Sequence, residues 1–456
     1  MTEIKELIRL QREYFQTGAT RNPKKRILFL KALETSVREM EYTILEALYS
    51  DLGKSEAEGY MSEVGMVLSE IRYMQKHLTE FAKMRKVRTP LAHFPAKSCI
   101  KPCPYGTVLI MSPWNYPFLL TVGPLVDALA AGNTAILKIG KEAAATGRVL
   151  AQLVRKTFPP QLVTVVQGGR AENSRLLEEK FDYIFFTGGK EAGRTVLEKA
   201  ARHLTPVSLE LGGKSPCIVD ESADVALAAR RIVFGKFLNS GQTCVAPDYL
   251  LVHKRKKEAL LSCMEKEICR QFGPKPLENP DYGKIINEKH FRRLMDMLEG
   301  ENIRSGAGYD LNCRIEPTIV TDVAPDSPLM QEEIFGPILP VLEFDTLQEA
   351  EDVIKCHPAP LALYLFTKKK SVKNKITGEI SFGGGCINDT IIHLASPYLG
   401  FGGVGESGMG AYHGKRGFDT FTHYKSLVEQ SDRIDLPFRY APYTEKKLKF
   451  IKWFMR

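Results

Sequence analysis

Residues 106–118 read GTVLIMSPWNYPF, a short apolar run that ends in a loop stiffened by Pro113 and Pro117. Three further runs repeat this texture: NTAILKI at 133–139, LVTVVQG at 162–168 and YIFFTGG at 183–189. Each is apolar almost throughout instead of alternating, as a strand buried on both faces requires. The stretches between them carry helical spacing. Alternating strand and helix predicts a parallel sheet with helices on both faces. SPCIVD at 215–220 and YLLVHK at 249–254 continue the series, with helical stretches at 256–272 and 287–299. The fold class is therefore α/β, and a second α/β unit is expected to start near 211.

Upstream, residues 1 to about 85 place apolar side chains at helical spacing, as at Ile27, Leu30, Ala32 and Leu33. Residues 86–101 are basic and β-branched, contain Pro90 and Pro95, and read as an extended arm. The 456 residues suffice for about two to four domains. With 44% hydrophobic and 26% charged residues, the composition excludes a disordered chain. The formal net charge is +9, but six Lys/Arg against one Glu lie between Arg439 and Arg456. The rest is nearly balanced and leaves no nucleic-acid footprint. The nine cysteines form no CxxC pair, so no metal is expected and reduced thiols are. The N-terminus, MTEIKELIRLQREY, is charged and unlike a signal peptide. The apolar stretch Phe118 to Leu137 is interrupted by Pro124, Asp127 and Asn133 and is too broken to span a membrane. A cytoplasmic protein is the expectation. The last segment, YTEKKLKFIKWFMR, puts Lys449, Lys452 and Arg456 on one side of a helical wheel. Leu448, Ile451, Phe454 and Met455 lie opposite. That pattern suits either a solvated tail or a peripheral contact with an anionic lipid surface.

Five motifs carry chemistry. Cys244 stands in NSGQTCVAP, a small polar loop that a substrate can reach. Its thiolate would be a nucleophile, with a pKa lowered by a nearby helix terminus or cation; an inert small hydrophobe is the plain alternative. Glu210, between two leucines in LELGGKSP, is either a surface carboxylate or a buried base of raised pKa. Asn115 in SPWNYPF follows an apolar strand, where ligand-binding loops sit in doubly wound sheets. Its amide either donates to a developing oxyanion or only packs in a turn. FFTGGKEAGR (185–194) places Gly188 and Gly193 in a GxxxxG spacing between strand and helix, a weak phosphate-loop signal. In QEEIFGP (331–337), Glu332 and Glu333 are adjacent and point in different directions, so that one is free to hold a ribose. The glycine-rich stretch at 400–410, interleaved with Phe401, Val404 and Met409, reads as an ordered loop.

Together and in this order, PWN, GNTAILK, FTGG, LELGGKSP, GQTC, EEIFGP and FGGVGESGMG resemble the aldehyde dehydrogenase superfamily over about residues 100–428. The ending FGGVGESGMGAYHGKRGFDTFTHYKS is similar to the branch of class 3 and fatty aldehyde dehydrogenases. The resemblance implies a Rossmann-type dinucleotide-binding domain at 1–210, a catalytic α/β domain at 211–408 and an oligomerisation strand with a basic tail at 409–456. It implies that Cys244 attacks the aldehyde, that Asn115 and the Cys244 N–H form the oxyanion hole, and that Glu210 activates water. Glu333 would hold the nicotinamide ribose with Phe335 beside the ring. Lys138 would lie near the adenosine ribose, Trp114, Gly188 and Gly193 along the cofactor cleft, and Asn388 near the catalytic loop. The cofactor would be NAD or NADP, and the assembly a homodimer built through the arm and a strand near 418–428.

The family pattern carries a glutamate for the adenosine 2′-hydroxyl where this chain has Lys141. A carboxylate there repels a 2′-phosphate and a lysine attracts it, so NADP use is expected. Tyr116, Phe118, Leu119 and Tyr60 are candidates for an apolar channel, which favours medium or long aliphatic or aromatic aldehydes. The competing readings are a cofactor-independent thioesterase or esterase using Cys244 and Glu210, and a non-catalytic protein on the same fold.

Overall fold

The computed structural model describes residues 2–455. β1 (Arg85–Val87) and β2 (Lys97–Pro104) lead out of the helical N-terminal layer, with a 3₁₀ turn at Leu91–His93 between them. β3 (Thr107–Ser112), β4 (Thr134–Ile139), β5 (Val163–Val166), β6 (Tyr183–Thr187) and β7 (Val207–Glu210) form a parallel sheet in the order β5-β4-β3-β6-β7. β3, β4 and β6 are buried at every position, which explains their mainly apolar sequences. β4 flanks β3 on one side and β6 on the other. The winding direction therefore reverses at β3, and ligands in such sheets occupy the crevice beyond the carboxyl ends at that point. The loops after β3 and β6 carry Trp114, Asn115 and Gly188.

A second sheet contains β8 (Pro216–Val219), β9 (Tyr249–His253), β10 (Asn302–Ser305), β11 (Thr318–Thr321), β12 (Ile338–Phe344), β13 (Ala362–Phe366) and β14 (Gly384–Ile387). Its order is β10-β11-β12-β9-β8-β13-β14, parallel except for the β10–β11 pair. The chain then returns: β15 (Gly408–Met409) pairs antiparallel with β7, Gly408 opposite Glu210. The glycine-rich stretch is thus ordered. A Cβ at Gly402 would lie 2.2 Å from the Gly410 carbonyl oxygen, so only glycine lets these backbones touch.

β16 (Thr422–Glu429) pairs antiparallel with β2 along its length, making the small sheet β1-β2-β16. This strand begins later than the expected 418. Residues Gly414–Thr420 are helical instead, because Phe418 is fully buried and packs against Phe81, ring centroids 5.6 Å apart. The tail forms a helix over Glu445–Phe454 with no buried residue; Arg456, part of the expected basic stripe, lies outside the described residues. No helix among the described residues is long and apolar enough to cross a membrane.

The N-terminal helices brace the first sheet. The helix Ala144–Thr157 follows β4 and has no capping side chain of its own. Asp51, from the helix Glu41–Leu52, supplies one: its carboxylate accepts from the Ala145 and Thr146 N–H groups at 3.0 and 2.8 Å, and from the Thr146 hydroxyl at 2.7 Å. Asp51→Ala is expected to lower unfolding free energy by about 1–2 kcal/mol, measured by denaturant titration.

Candidate active site

The helix Val225–Phe237 ends in a tight turn, where Asn239 and Ser240 adopt left-handed φ of 53° and 50°. Such non-glycine conformations cost about 1 kcal/mol or more each and need outside support. Here the Asn239 amide donates to the Asn115 carbonyl (2.9 Å) and the Gln242 carbonyl (3.1 Å), while the Gln242 amide donates to the carbonyls of Asn239 and Lys284, both at 3.0 Å. The turn delivers Cys244, half-buried, to the junction of two cavities. One, about 170 Å³, is apolar and lined by Tyr116, Leu119, Phe234, Ile391 and Phe401 among others. The other, about 320 Å³, is lined by Trp114, Asn115, Gly188, Glu210, Glu333 and Phe335. Cys244 borders both.

Glu210 ends β7 and is 2% exposed. Neither of its carboxylate oxygens has a hydrogen-bond partner among the described residues. Burial alone holds its pKa well above the usual carboxylate range. Glu333 is pushed up to about 8, by burial first and then by Asp248. The Cys244 thiol is pushed up to about 12, by burial and then by Glu333 and Glu210. This reverses the expectation of a lowered thiol pKa: the loop faces carboxyl groups, not a helix terminus or a cation.

Asn115 is 2% exposed and donates from Nδ2 to the Gln242 carbonyl at 3.0 Å. Its neighbour Tyr116 shares a 2.7 Å hydrogen bond with the Thr243 hydroxyl. Tyr116 and Leu119 line the apolar cavity, whereas Phe118 does not. Phe118 is buried in the core, and its N–H donates to Glu63 at 2.8 Å. Tyr60 is 40% exposed and also lies off the cavity wall, to which the next residues, Met61 and Ser62, contribute.

In the second cavity, Trp114 meets Phe335 edge-on at 5.5 Å and His290 at 5.1 Å. The loop bearing Glu333 and Phe335 is held by a buried pair that sequence reasoning missed: Lys214 Nζ lies 2.6 Å from Asp248. Lys214 also donates to the Glu332 carbonyl at 3.1 Å, and Asp248 accepts from the Ile334 N–H at 3.0 Å. Its sequence signal was a lysine directly after Gly-Gly, ahead of an apolar strand. Glu332 points outward to Arg293 at 3.5 Å, while Glu333 lies so close to Gly212 that a Cβ there would sit 2.1 Å from its carboxylate. Gly188 lines the cavity; Gly193 does not, and packs in its helix against Leu211, where a Cβ would come within 2.7 Å. Lys138 is buried and donates to the Ile139 and Gly168 carbonyls at 2.7 and 2.9 Å. Lys141 and Arg148 line a third cavity, about 340 Å³, between the ends of β4 and β5. Asn388 lines none of these cavities and pairs with the Thr367 backbone. The cavities along the carboxyl ends of β3 to β6 thus offer aromatic walls, a backbone approach at Gly188 and two cations at the far end. That donor set fits a dinucleotide phosphate.

The aldehyde dehydrogenase family model matches residues 1–427. The 4,4'-diaponeurosporen-aldehyde dehydrogenase of Staphylococcus aureus is 47% identical over 446 residues, covering 97% of each chain. The dimeric NADP-preferring aldehyde dehydrogenase of Rattus norvegicus is 43% identical over 432 residues, covering 94% of this chain and 95% of that one. The solved substrate-bound state of Staphylococcus aureus AldH superposes with a TM-score of 0.98 at 46% identity over 99% of both chains. The chain therefore belongs to the aldehyde dehydrogenase family, oxidoreductases that use NAD or NADP to oxidise aldehydes.

Proposed function

We propose that Cys244, Asn115 and Glu210 carry out the oxidation of an apolar aldehyde that enters through the cavity walled by Tyr116, Leu119 and Phe401. The observation that carries this reading is the place of Cys244, between an apolar cavity and a polar cleft. An aldehyde carbon does not release hydride until it is tetrahedral and anionic. The Cys244 thiol passes its proton to the Glu210 carboxylate on the same cleft, which releases it to solvent, and the sulfur attacks the carbonyl carbon, forming the thiohemiacetal. Asn115 has two amide N–H donors and gives one to Gln242, which leaves the other, with the Cys244 N–H, for the oxyanion. A nicotinamide cofactor, when bound in the cleft, would supply the acceptor for the hydride of that carbon. Glu210 then takes a proton from the water that attacks the Cys244 thioester, and the carboxylic acid leaves. Burial without hydrogen bonds gives Glu210 the raised basicity a general base needs near neutral pH.

Glu333, Phe335, Trp114 and Gly188 would hold the nicotinamide end of the cofactor. Lys138 and Lys141 would serve the adenosine end, with Arg148 beside Lys141 in the same cavity. Two cations there support NADP as the preferred cofactor, and a 43% identical relative is named NADP-preferring. The exposed edge of β16 supports a homodimer, since a bare edge strand invites pairing. The tail helix exposes Leu448, Phe450 and Trp453 among lysines, which supports peripheral contact with anionic lipid by a cytoplasmic protein.

Cys244→Ala is expected to lower kcat on the order of 10⁴-fold or more, and Asn115→Ala by about 10²–10³-fold, both followed by nucleotide absorbance. Lys141→Glu is expected to weaken NADP binding by about tenfold or more while moving the NAD Kd less than about twofold, read by calorimetry. Equal effects on both nucleotides would end the NADP argument. Light scattering is expected to give a dimer mass, and deletion of 445–456 to abolish flotation with anionic liposomes.

A further inference from the structure

The helical N-terminal segment holds an ion pair that the reaction itself does not use. Lys54 and Glu63 are both fully buried, with Lys54 Nζ 2.5 Å from Glu63 Oε1. A buried pair recovers little more than its own desolvation cost, and apolar residues of the same volume are often as stabilising. Its other contacts say what it holds. Lys54 Nζ donates to the Asn115 carbonyl at 2.9 Å and sits 3.9 Å above the Tyr116 ring. The second oxygen of Glu63 accepts from the Phe118 and Leu119 N–H groups at 2.8 and 3.1 Å. The residues they fix run from the loop after β3 to the first residue of the helix Leu119–Ala131. Glu63 itself stands in a π-helical turn, Tyr60–Val64, a local irregularity often found beside functional sites.

The same short segment reaches the nucleophile loop. Glu58, in the turn preceding that π-helix, accepts from the Asn239 N–H at 2.9 Å. Asn239 in turn donates its amide to the Asn115 carbonyl at 2.9 Å. The Asn115 carbonyl thus receives two donors, Lys54 from one side and Asn239 from the other. Its side chain is tied to Gln242, which precedes Cys244 by two residues.

We propose that Lys54 and Glu63 are positioning residues for aldehyde oxidation: with Asn239 they clamp the Asn115 backbone, so that the Asn115 amide and the Cys244 thiol keep a fixed separation. The inference rests on the reading of Cys244 and Asn115 given above. Neither Lys54 nor Glu63 lines the apolar cavity or the cleft, so neither acts by touching substrate.

The test combines Lys54→Met with Glu63→Gln in one chain. That change keeps side-chain volume and the acceptor for the Phe118 and Leu119 N–H groups, and removes both charges and the donor to Asn115. Four quantities are read: melting temperature, Kd for NAD and NADP by calorimetry, KM and kcat for a medium-chain aldehyde, and nucleotide-free acylation by p-nitrophenyl acetate. A clamp predicts little change in melting temperature, nucleotide Kd and KM, with acylation and kcat both falling about 10–100-fold, the scale of a small misplacement of reacting groups. A folded double variant that acylates within twofold of the parent overturns the proposal. Asn239→Gly, which suits the φ of 53° and removes the second donor, is the independent arm and is expected to slow acylation in the same way. If the double variant does not fold, unchanged acylation in Asn239→Gly overturns the clamp. Cys244→Ala runs alongside; acylation that survives there overturns the reading of the site and the clamp with it.

Discussion

The hydrogen bond from the Asn115 amide to the Gln242 carbonyl, 3.0 Å long and buried, joins the two sheets beside Cys244. Asn115 belongs to the loop after β3 and Gln242 to the loop that ends in Cys244. Each loop is irregular, with prolines on one side and two left-handed non-glycine residues on the other. The left-handed Asn239 and Ser240 need support from outside their own loop. The contact between the two loops, with the Tyr116–Thr243 hydroxyl pair beside it, makes each loop the other's support. The apolar cavity and the cleft that fits a dinucleotide then meet at Cys244 and Leu120.

The electrostatics of that meeting point are unusual for a nucleophile. Burial and the two carboxyl groups of Glu210 and Glu333 favour the protonated thiol. A protonated thiol resists oxidation, since the thiolate is the reactive form. The same apolar surroundings raise the pKa of Glu210. One buried environment thus raises the pKa of both Cys244 and Glu210.

Much of this was legible in the sequence, for a physical reason. Strands buried on both faces must be apolar throughout, so β3, β4 and β6 announced themselves, and the loops that follow them carry Asn115 and Gly188. Cys244 and Glu210 stood out because a polar loop and an isolated carboxylate are conspicuous beside apolar runs. What stayed hidden was set by tertiary contacts. Nothing local says that Lys54 and Glu63 are buried together, since Lys and Glu in a helical segment ordinarily face water. Gly193 looked like a phosphate-loop glycine, but its lack of a side chain serves packing on Leu211. Phe118 looked like a channel residue, yet the helix that starts one residue later turns it into the core. The upward pKa of Cys244 stayed hidden because it comes first from burial, and then from carboxyl groups far away in the chain.

The most direct test of the account is to trap the covalent intermediate. Glu210→Gln would be mixed with a medium-chain aldehyde and NADP, quenched in acid, digested and analysed by mass spectrometry. If Cys244 attacks and Glu210 serves deacylation, an acyl group accumulates as a thioester on the Cys244 peptide, and far less of it is found on the parent protein. An acyl group on another residue, or none on Cys244 while nucleotide is reduced, would contradict the account.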